Sequence, residues 1–243
     1  MCDMKSCVRL FLALCGVFTW ATTSAATIPL GDCSKCTIQS QYIAVVGSTA
    51  GSPDNCSDNR CGNFNVTIRD MANNLIAGAQ VVIDFSACPD IRLSCDQLNS
   101  TTGQSYLAGN RVMGVTNALG QFTFKVQGAA NAVPTTSNTT SPGIPISIAC
   151  AQVYADGIGL NPALIVAAYD VNGLGSPTGA VNGADASLVA AEVVKVGLGA
   201  TAHTRDDYNN SNSVTGPDAS ISAQMVVQAA LGTGSQYTGP FCP

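Results

Sequence analysis

The sequence predicts a mainly β protein, in which a β-sandwich is followed by a small α-helical module of two loop–helix units. Charged residues make up only 10% of the 243 residues, whereas ordinary soluble domains contain about 25%. Fourteen of the fifteen acidic residues are Asp, a residue that disfavours helix interiors and favours turns and caps. Short β-rich runs fill the chain up to about residue 169, and a repeated loop–helix pattern follows them.

The first 26 residues are predicted to be a signal peptide. Lys5 and Arg9 form a basic start, Leu10–Ala21 is apolar, and the small residues at 23–26 suit cleavage after Ala25 or Ala26. Twelve apolar residues are too few to span a bilayer, which requires about 20. We therefore expect a secreted, extracellular or cell-surface protein without a transmembrane segment.

Cleavage would leave eight cysteines, and an even number in an exported chain indicates disulfides. The sequence does not determine their pairing, but Cys56/Cys61 and Cys88/Cys95 are close enough for local bridges. We expect Cys242 to tie the C-terminus to the body. A Cys-x-x-Cys motif at Cys33 and Cys36 could be redox-active or half a zinc site. There is no second such motif or nearby histidine for zinc, and no βαβ context for thioredoxin chemistry, so structural disulfides are favoured. The eight candidates are Cys33, Cys36, Cys56, Cys61, Cys88, Cys95, Cys150 and Cys242.

Six β-rich runs predict the strands of a disulfide-bonded sandwich over residues 27–169. Turn signals such as Asn73-Asn74 and 117–120 separate them. Alternation is clear in the second run, where Phe64, Val66 and Ile68 share one face. The runs are Gln41–Val46, Phe64–Ile68, Ala79–Phe85, Gln121–Val126, Ile146–Tyr154 and Ala163–Tyr169.

Two stretches resemble a family of extracellular modules. Residues 67–85 (TIRDMANNLIAGAQVVIDF) and 115–126 (VTNALGQFTFKV) are similar to immunoglobulin-like or carboxypeptidase-regulatory-like sandwiches. The resemblance implies an immunoglobulin-like β-sandwich, a module that serves as a spacer, adhesin or accessory domain. It supports the fold more than any function.

An internal repeat follows the sandwich. Residues 181–199 align with 214–232 at ten identical positions in nineteen. Gly199 and Gly232 are expected to end the two helices. The shared apolar or small positions follow the spacing of one helix face, and they are Ala190/Ala223, Val193/Val226, Val194/Val227, Gly197/Ala230 and Leu198/Leu231.

The loop before the second helix has the pattern of a calcium site. Its twelve residues begin at Asp207 and end at Asp218, the expected bidentate ligand, with oxygen-bearing side chains at alternate early positions. Calcium prefers six to eight oxygen ligands, and such a loop points them inward. An apolar residue at position 8, Val214, is expected to pair with Val181 of the first loop.

The first loop, Asp170 to Asp185, is longer by about four residues near Ser176–Gly179. Leu174 occupies the position where a middle ligand is expected. Asp170, Asn172 and Asp185 can therefore bind an ion only if another group completes the set.

Two loop–helix units of this kind resemble the dockerin module, whose repeats read D-x-N-x-D-x-x-V-x-x-x-D before one helix. The resemblance covers 170–232 and makes 170–243 a calcium-binding module with a C-terminal tail. It implies two calcium ions and a cohesin partner. This chain departs at position 5, in the longer first loop, and in Gly183-Ala184 and Gly216-Pro217, departures that fit calcium binding better than cohesin binding. The implied ligands are Asp207, Asn209, Ser211, Ser213 and Asp218, then Asp170, Asn172 and Asp185.

The composition argues against catalysis and nucleic-acid binding. A net charge of −5 provides no basic surface for nucleic acid. The single histidine, His203, lies in a polar connector, and no nucleophile motif or placed carboxylate pair is present. We predict a secreted, non-catalytic calcium-binding protein for extracellular attachment or assembly, with a cohesin-like partner or by self-association. The alternative is a structural subunit of a self-assembling extracellular fibre or surface layer. A carbohydrate-binding role is disfavoured because the single tryptophan of the sequence, Trp20, lies in the predicted signal peptide.

Overall fold

A computed structural model describes residues 33–46, 63–95, 97, 103–130, 139–140, 149–171, 181–200, 202–211, 213–230 and 242. The predicted signal peptide (1–26), Cys56, Cys61 and Asn172 lie outside these residues. The fold is mostly β, with two C-terminal helices packed together, as the sequence predicts at this level.

The described strands alternate along the chain with turns, and the two helices come after most of them. The strands are β1 (Thr37–Ile38), β2 (Tyr42–Val45), β3 (Asn63–Thr67), β4 (Gln80–Asp84), β5 (Ile91–Leu93), β6 (Ser105–Leu107), β7 (Arg111–Val115), β8 (Gln121–Lys125), β9 (Gly128–Ala130), β10 (Thr139–Thr140), β11 (Ala149–Ala155), β12 (Ile158–Ala168) and β13 (Ala202–His203). The helices are α1 (Gly183–Gly197) and α2 (Gly216–Ala230).

The largest sheet has the strand order β2-β12-β11-β4-β7-β6. Neighbouring strands are antiparallel, except that β2 lies parallel to β12. At its end, Val46 bridges to Gln127 and so continues the pairing towards β9. The sheet curls into a half-barrel, so the expectation of an immunoglobulin-like sandwich is not met in that form. The parallel strand and this bridge draw the sheet around its core instead of leaving a flat layer.

A three-stranded sheet, β1-β3-β8, contributes to the same core. Phe64, Val66 and Ile68 are fully buried, which confirms the alternation predicted for β3. They pack in one cluster with apolar side chains of the curled sheet. At the contact between β7 and β8, a side chain at Gly114 would lie within 2.5 Å of the Phe122 ring, so glycine is required there.

A second core lies on the other face of β2 and β12, where the helices pack. Tyr42 and Ala44 of β2 and Ala167 of β12 contribute to it from the sheet. Val189 of α1 and Met225 of α2 contribute from the helices. The β2–β12 pair is therefore covered on both faces, in agreement with its nearly continuous apolar sequence.

Each helix begins and ends close to where the repeat predicts. Asn182 caps α1, and Asp185 returns the bond to form a capping box. Gly199 has a φ of 84° and follows the end of α1, which confirms its predicted role as a stop.

The buried helix face differs from the predicted one. Val193 and Val226 do pack on the second core, but Ala190, Val194 and Leu198 are exposed. Asp185 of α1 and Asp218 of α2 are fully buried instead, and each accepts hydrogen bonds from its own loop. The positions that are buried in equivalent places are Asp185/Asp218, Val189/Ser222 and Glu192/Met225.

Three disulfides join described cysteines: Cys33–Cys36, Cys88–Cys150 and Cys95–Cys242. The predicted Cys88/Cys95 bridge is wrong because β5 extends between these two residues and carries them apart. The expected tie from Cys242 to the body is confirmed, and the Cys242 N–H also donates to the Leu93 carbonyl at 3.1 Å.

Several disulfides are consistent with an extracellular, oxidising location. Among the described helices, neither has the length and apolar character needed to cross a membrane.

Candidate metal centre

The second loop is closed by Asp218 in the first turn of α2. Its Oδ1 accepts hydrogen bonds from the backbone N–H groups of Tyr208 (2.9 Å) and Asn209 (3.1 Å). Its Oδ2 accepts from the Thr215 N–H (2.9 Å) and hydroxyl (3.0 Å). Asp207 and Asp218 are 1% and 0% exposed. The two ends of the loop are therefore held together around a buried carboxylate.

The middle of this loop turns back on Ser211. Its N–H donates to Asp207 Oδ1 and to Asn209 Oδ1, both at 2.9 Å. Its hydroxyl donates to the Ser213 carbonyl at 2.9 Å. Asn210 has a φ of 55°, which an asparagine tolerates and which permits the tight turn. The structure thus links the predicted ligands Asp207, Asn209, Ser211 and Ser213 within one turn.

The first loop repeats the same hydrogen bonds. Asp185 Oδ1 accepts from the Val171 N–H at 3.0 Å, and Oδ2 accepts from the Asn182 N–H at 2.8 Å. These donors correspond to Tyr208 and Thr215 in the second unit. Asp170 is fully buried beside this arrangement. The sequence repeat is therefore also a repeat in three dimensions, although the first loop is longer.

The apolar position-8 residues of the two loops, Val181 and Val214, both belong to the second core. Both side chains are buried in this one cluster, and the direct pairing of Val214 with Val181 stays a prediction.

The oxygen donors of the second loop fit calcium better than a softer metal. They comprise two carboxylates, one amide, one hydroxyl and one backbone carbonyl, all hard ligands. Within the described ranges, no group of three or more His, Cys, Asp or Glu residues is placed to hold a metal. Any site here therefore depends on neutral oxygens. In the first loop, the described candidates are Asp170 and Asp185.

Arg205 attaches the second loop to the curled sheet, a contact that the sequence analysis missed. Its Nε and Nη2 donate to the two carboxylate oxygens of Asp90 at 2.8 and 2.7 Å. Its Nη1 donates to the Val166 carbonyl at 2.6 Å. Arg205 is 1% exposed, although the connector around His203 is predicted to be a polar surface segment. The one signal for this ion pair in the sequence is that Arg205 is a basic residue next to two aspartates, Asp206 and Asp207.

Tyr208, the second residue of the same loop, also attaches it to the sheet. It is fully buried, its hydroxyl donates to the Ala168 carbonyl at 3.1 Å, and its ring stacks on Tyr169 with centroids 4.7 Å apart. Burial raises the pKa of Tyr208 well above 10.0, and the negative charge of Asp206 adds to the rise.

This raised pKa predicts a loss of stability in strong base. Below pH 10 the phenol is neutral in both states, so its contribution to folding is complete. Above pH 10 the unfolded phenol ionises while the buried one stays protonated, so the unfolded state is favoured by up to about 1.4 kcal/mol per pH unit. Urea unfolding at pH 8 to 11 should show a shallower decline for Tyr208→Phe than for the unmodified chain. The half-buried Tyr154 provides the control: an equal change in slope for Tyr154→Phe would contradict this explanation.

The fold and these loops define a mostly β protein that carries a repeated loop–helix pair on its curled sheet. No protein-family model, curated protein or solved structure matches this chain. The likeness to dockerin modules therefore stays a prediction from the sequence.

Proposed function

We propose that this chain is a secreted, non-catalytic calcium-binding protein that mediates extracellular attachment or assembly. The observation that carries the proposal is the repeated carboxylate arrangement, in which Asp185 and Asp218 close equivalent loops through equivalent backbone donors. A chance collection of turns would not reproduce these bonds across loops of different length.

Calcium is the ion that this arrangement favours. Asp218 places a buried carboxylate beside the N–H groups of the two residues that follow Asp207, so the two ends of the loop, each with one carboxylate, are held together. Binding would replace the bond between the Ser211 hydroxyl and the Ser213 carbonyl with two ion–oxygen contacts. With two carboxylates, we expect an affinity on the order of 10⁻⁴–10⁻³ M, as in extracellular modules.

The helix pair is the surface that we propose for attachment. Val194, Leu198 and Val227 are 61%, 83% and 57% exposed, and Val194 and Val227 occupy equivalent positions in the repeat. Exposed apolar side chains on such a helix pair are typical of protein contacts. The proposed partner is therefore a protein, either a cohesin-like domain or a second copy of this chain.

Pairing through the edge of β8 has less support. Gln104 makes hydrogen bonds to the N–H and carbonyl of Lys125, and Asn117 does the same for Gln121. These bonds occupy the outward backbone groups at both ends of the strand. Occupied edges resist the addition of another strand, so we propose attachment through the helices instead of strand polymerisation.

The test is unfolding of the full chain with calcium and with a chelator. Calcium at about 100 times its dissociation constant should raise the free energy of unfolding by about 2.7 kcal/mol. Asp218→Asn should abolish this increase, because the amide supplies one weaker ligand oxygen. Asp156→Asn, in the turn between β11 and β12, is the matched control and should keep the full response.

The difference between the two conditions is independent of how much each substitution destabilises the fold. An unchanged free energy of unfolding in the unmodified chain would contradict calcium binding. Size-exclusion chromatography of the same samples tests assembly: filaments in the presence of calcium would favour the fibre alternative.

A further inference from the structure

The Cys33–Cys36 disulfide differs from the other two described bridges in its short sequence separation, and from Cys88–Cys150 also in its exposure. Cys88–Cys150 joins residues 62 positions apart, and Cys88 is buried in the main core. Cys33 and Cys36 are only three positions apart and are both partly exposed. A ring this small constrains the unfolded chain far less than a long-range bridge does. Stabilisation of the fold is therefore a weak explanation for the presence of this bridge.

We propose that Cys33–Cys36 is a thiol–disulfide exchange site for peptide thiols. Both cysteines line an open groove of about 380 Å³ between the start of β1 and the beginning of β12. An exchange-competent disulfide must be reachable by the attacking sulfur, and this groove provides the approach.

The chemistry of the groove fits a peptide. Ile38, Ile158 and Leu160 provide apolar contacts, and Ser34 and Asn161 belong to the polar part of the lining. The lining is mostly polar with three apolar side chains among it, so it can contact both the backbone and an apolar side chain of a peptide. The substrate class is therefore a cysteine-containing peptide, including the small peptide glutathione.

The backbone N–H and carbonyl of Arg69 are placed to receive Cys36 as the released sulfur. Its N–H points at Cys36 Sγ over 3.5 Å, and its carbonyl oxygen lies 3.4 Å from the same atom. A reduced Cys36 thiol can accept from this N–H and donate to this carbonyl, so both of its hydrogen-bonding valences are satisfied. This environment favours attack on Cys33 and release of Cys36.

The exchange balances as two thiol–disulfide steps. A substrate thiolate attacks Cys33 Sγ, the bond to Cys36 breaks, and Cys36 takes the electron pair and the proton that the substrate thiol has lost. A second substrate thiolate then attacks the substrate sulfur of the mixed disulfide and releases Cys33. The substrate dithiol loses two electrons and two protons, and Cys33 and Cys36 gain them. A small-molecule disulfide, such as glutathione disulfide, restores the starting bond.

The first test treats the folded full chain with reduced glutathione, traps free thiols by alkylation and locates them by mass spectrometry. Cys33 and Cys36 should be alkylated at least about tenfold faster than Cys88 and Cys150. Equal rates for the two disulfides would overturn the proposal and leave a structural bridge only.

Variants separate exchange from simple exposure. With glutathione disulfide, Cys36→Ser should accumulate a mixed disulfide between Cys33 and glutathione as one reduced glutathione is released, and Cys33→Ser should abolish oxidation of a two-cysteine peptide. Ile158→Ala should slow exchange with an apolar cysteine peptide several-fold but leave the rate with dithiothreitol unchanged. Leu119→Ala, on an exposed turn elsewhere, is the matched control. Equal peptide rates for both alanine variants would contradict a peptide-binding groove.

Discussion

Replacing Arg205 with alanine is expected to lower the free energy of unfolding by about 3–5 kcal/mol. The substitution leaves Asp90 buried without the two N–H donors that hold its carboxylate, and it also removes the donor to the Val166 carbonyl. Because Arg205 lies two residues before the loop that begins at Asp207, the helix pair should also loosen from the sheet. Urea unfolding measures the first effect, and hydrogen exchange in α1 and α2 measures the second.

Two further variants determine whether the buried pair is the cause. Arg92→Ala removes an exposed arginine of β5 and should change stability by no more than about 0.5 kcal/mol. Arg205→Met combined with Asp90→Leu removes both charges and should recover most of the loss, since no unpaired buried charge remains. A double variant as unstable as Arg205→Ala would show that packing, not charge, explains the result.

Removing the Cys88–Cys150 disulfide, by changing both residues to alanine, is expected to cost about 4 kcal/mol. The bridge closes a long loop, and in the chain-entropy account such a closure restricts the unfolded state strongly. It also joins the turn before β5 to β11, next to Arg205, whose Nη2 lies 3.3 Å from Cys150 Sγ. Denaturant unfolding under non-reducing conditions is the measurement.

The matched control removes Cys33–Cys36 by the same double alanine change. Its four-residue ring predicts a loss of only about 2 kcal/mol. An equal or larger loss than that from Cys88–Cys150 would contradict the assignment of the long bridge as the main staple. Since Arg205 contacts Cys150, the Arg205 and Cys88–Cys150 losses should not be additive.

The strands with clear alternation were predictable from short windows of sequence. Phe64, Val66 and Ile68 lie on one buried face because the period of a strand is a local property. The strand β7 was missed, although it lies inside the largest sheet. Its five residues include Gly114, which weakens a strand signal, and the need for glycine arises from the approach of Phe122.

The repeat predicted the helices and their loops, but not which helix face is buried. Apolar positions such as Val194 and Leu198 follow helical spacing, yet they are exposed. The hydrogen bonds on Asp185 and Asp218 turn these residues inward instead. The spacing of apolar residues shows which of them share a helix face. Which face is buried also depends on polar contacts, and the spacing does not reveal these.

The sequence by itself determined the mostly β character, the two C-terminal helices and the tie from Cys242, because each depends on composition, local period or chain position. Only the tertiary structure decided the curled strand order, the Cys88–Cys150 pairing and the Arg205–Asp90 ion pair. The partners in that ion pair are 115 residues apart. Local patterns depend on neighbours within a few residues, whereas distant partners meet only when the whole chain closes around its two cores.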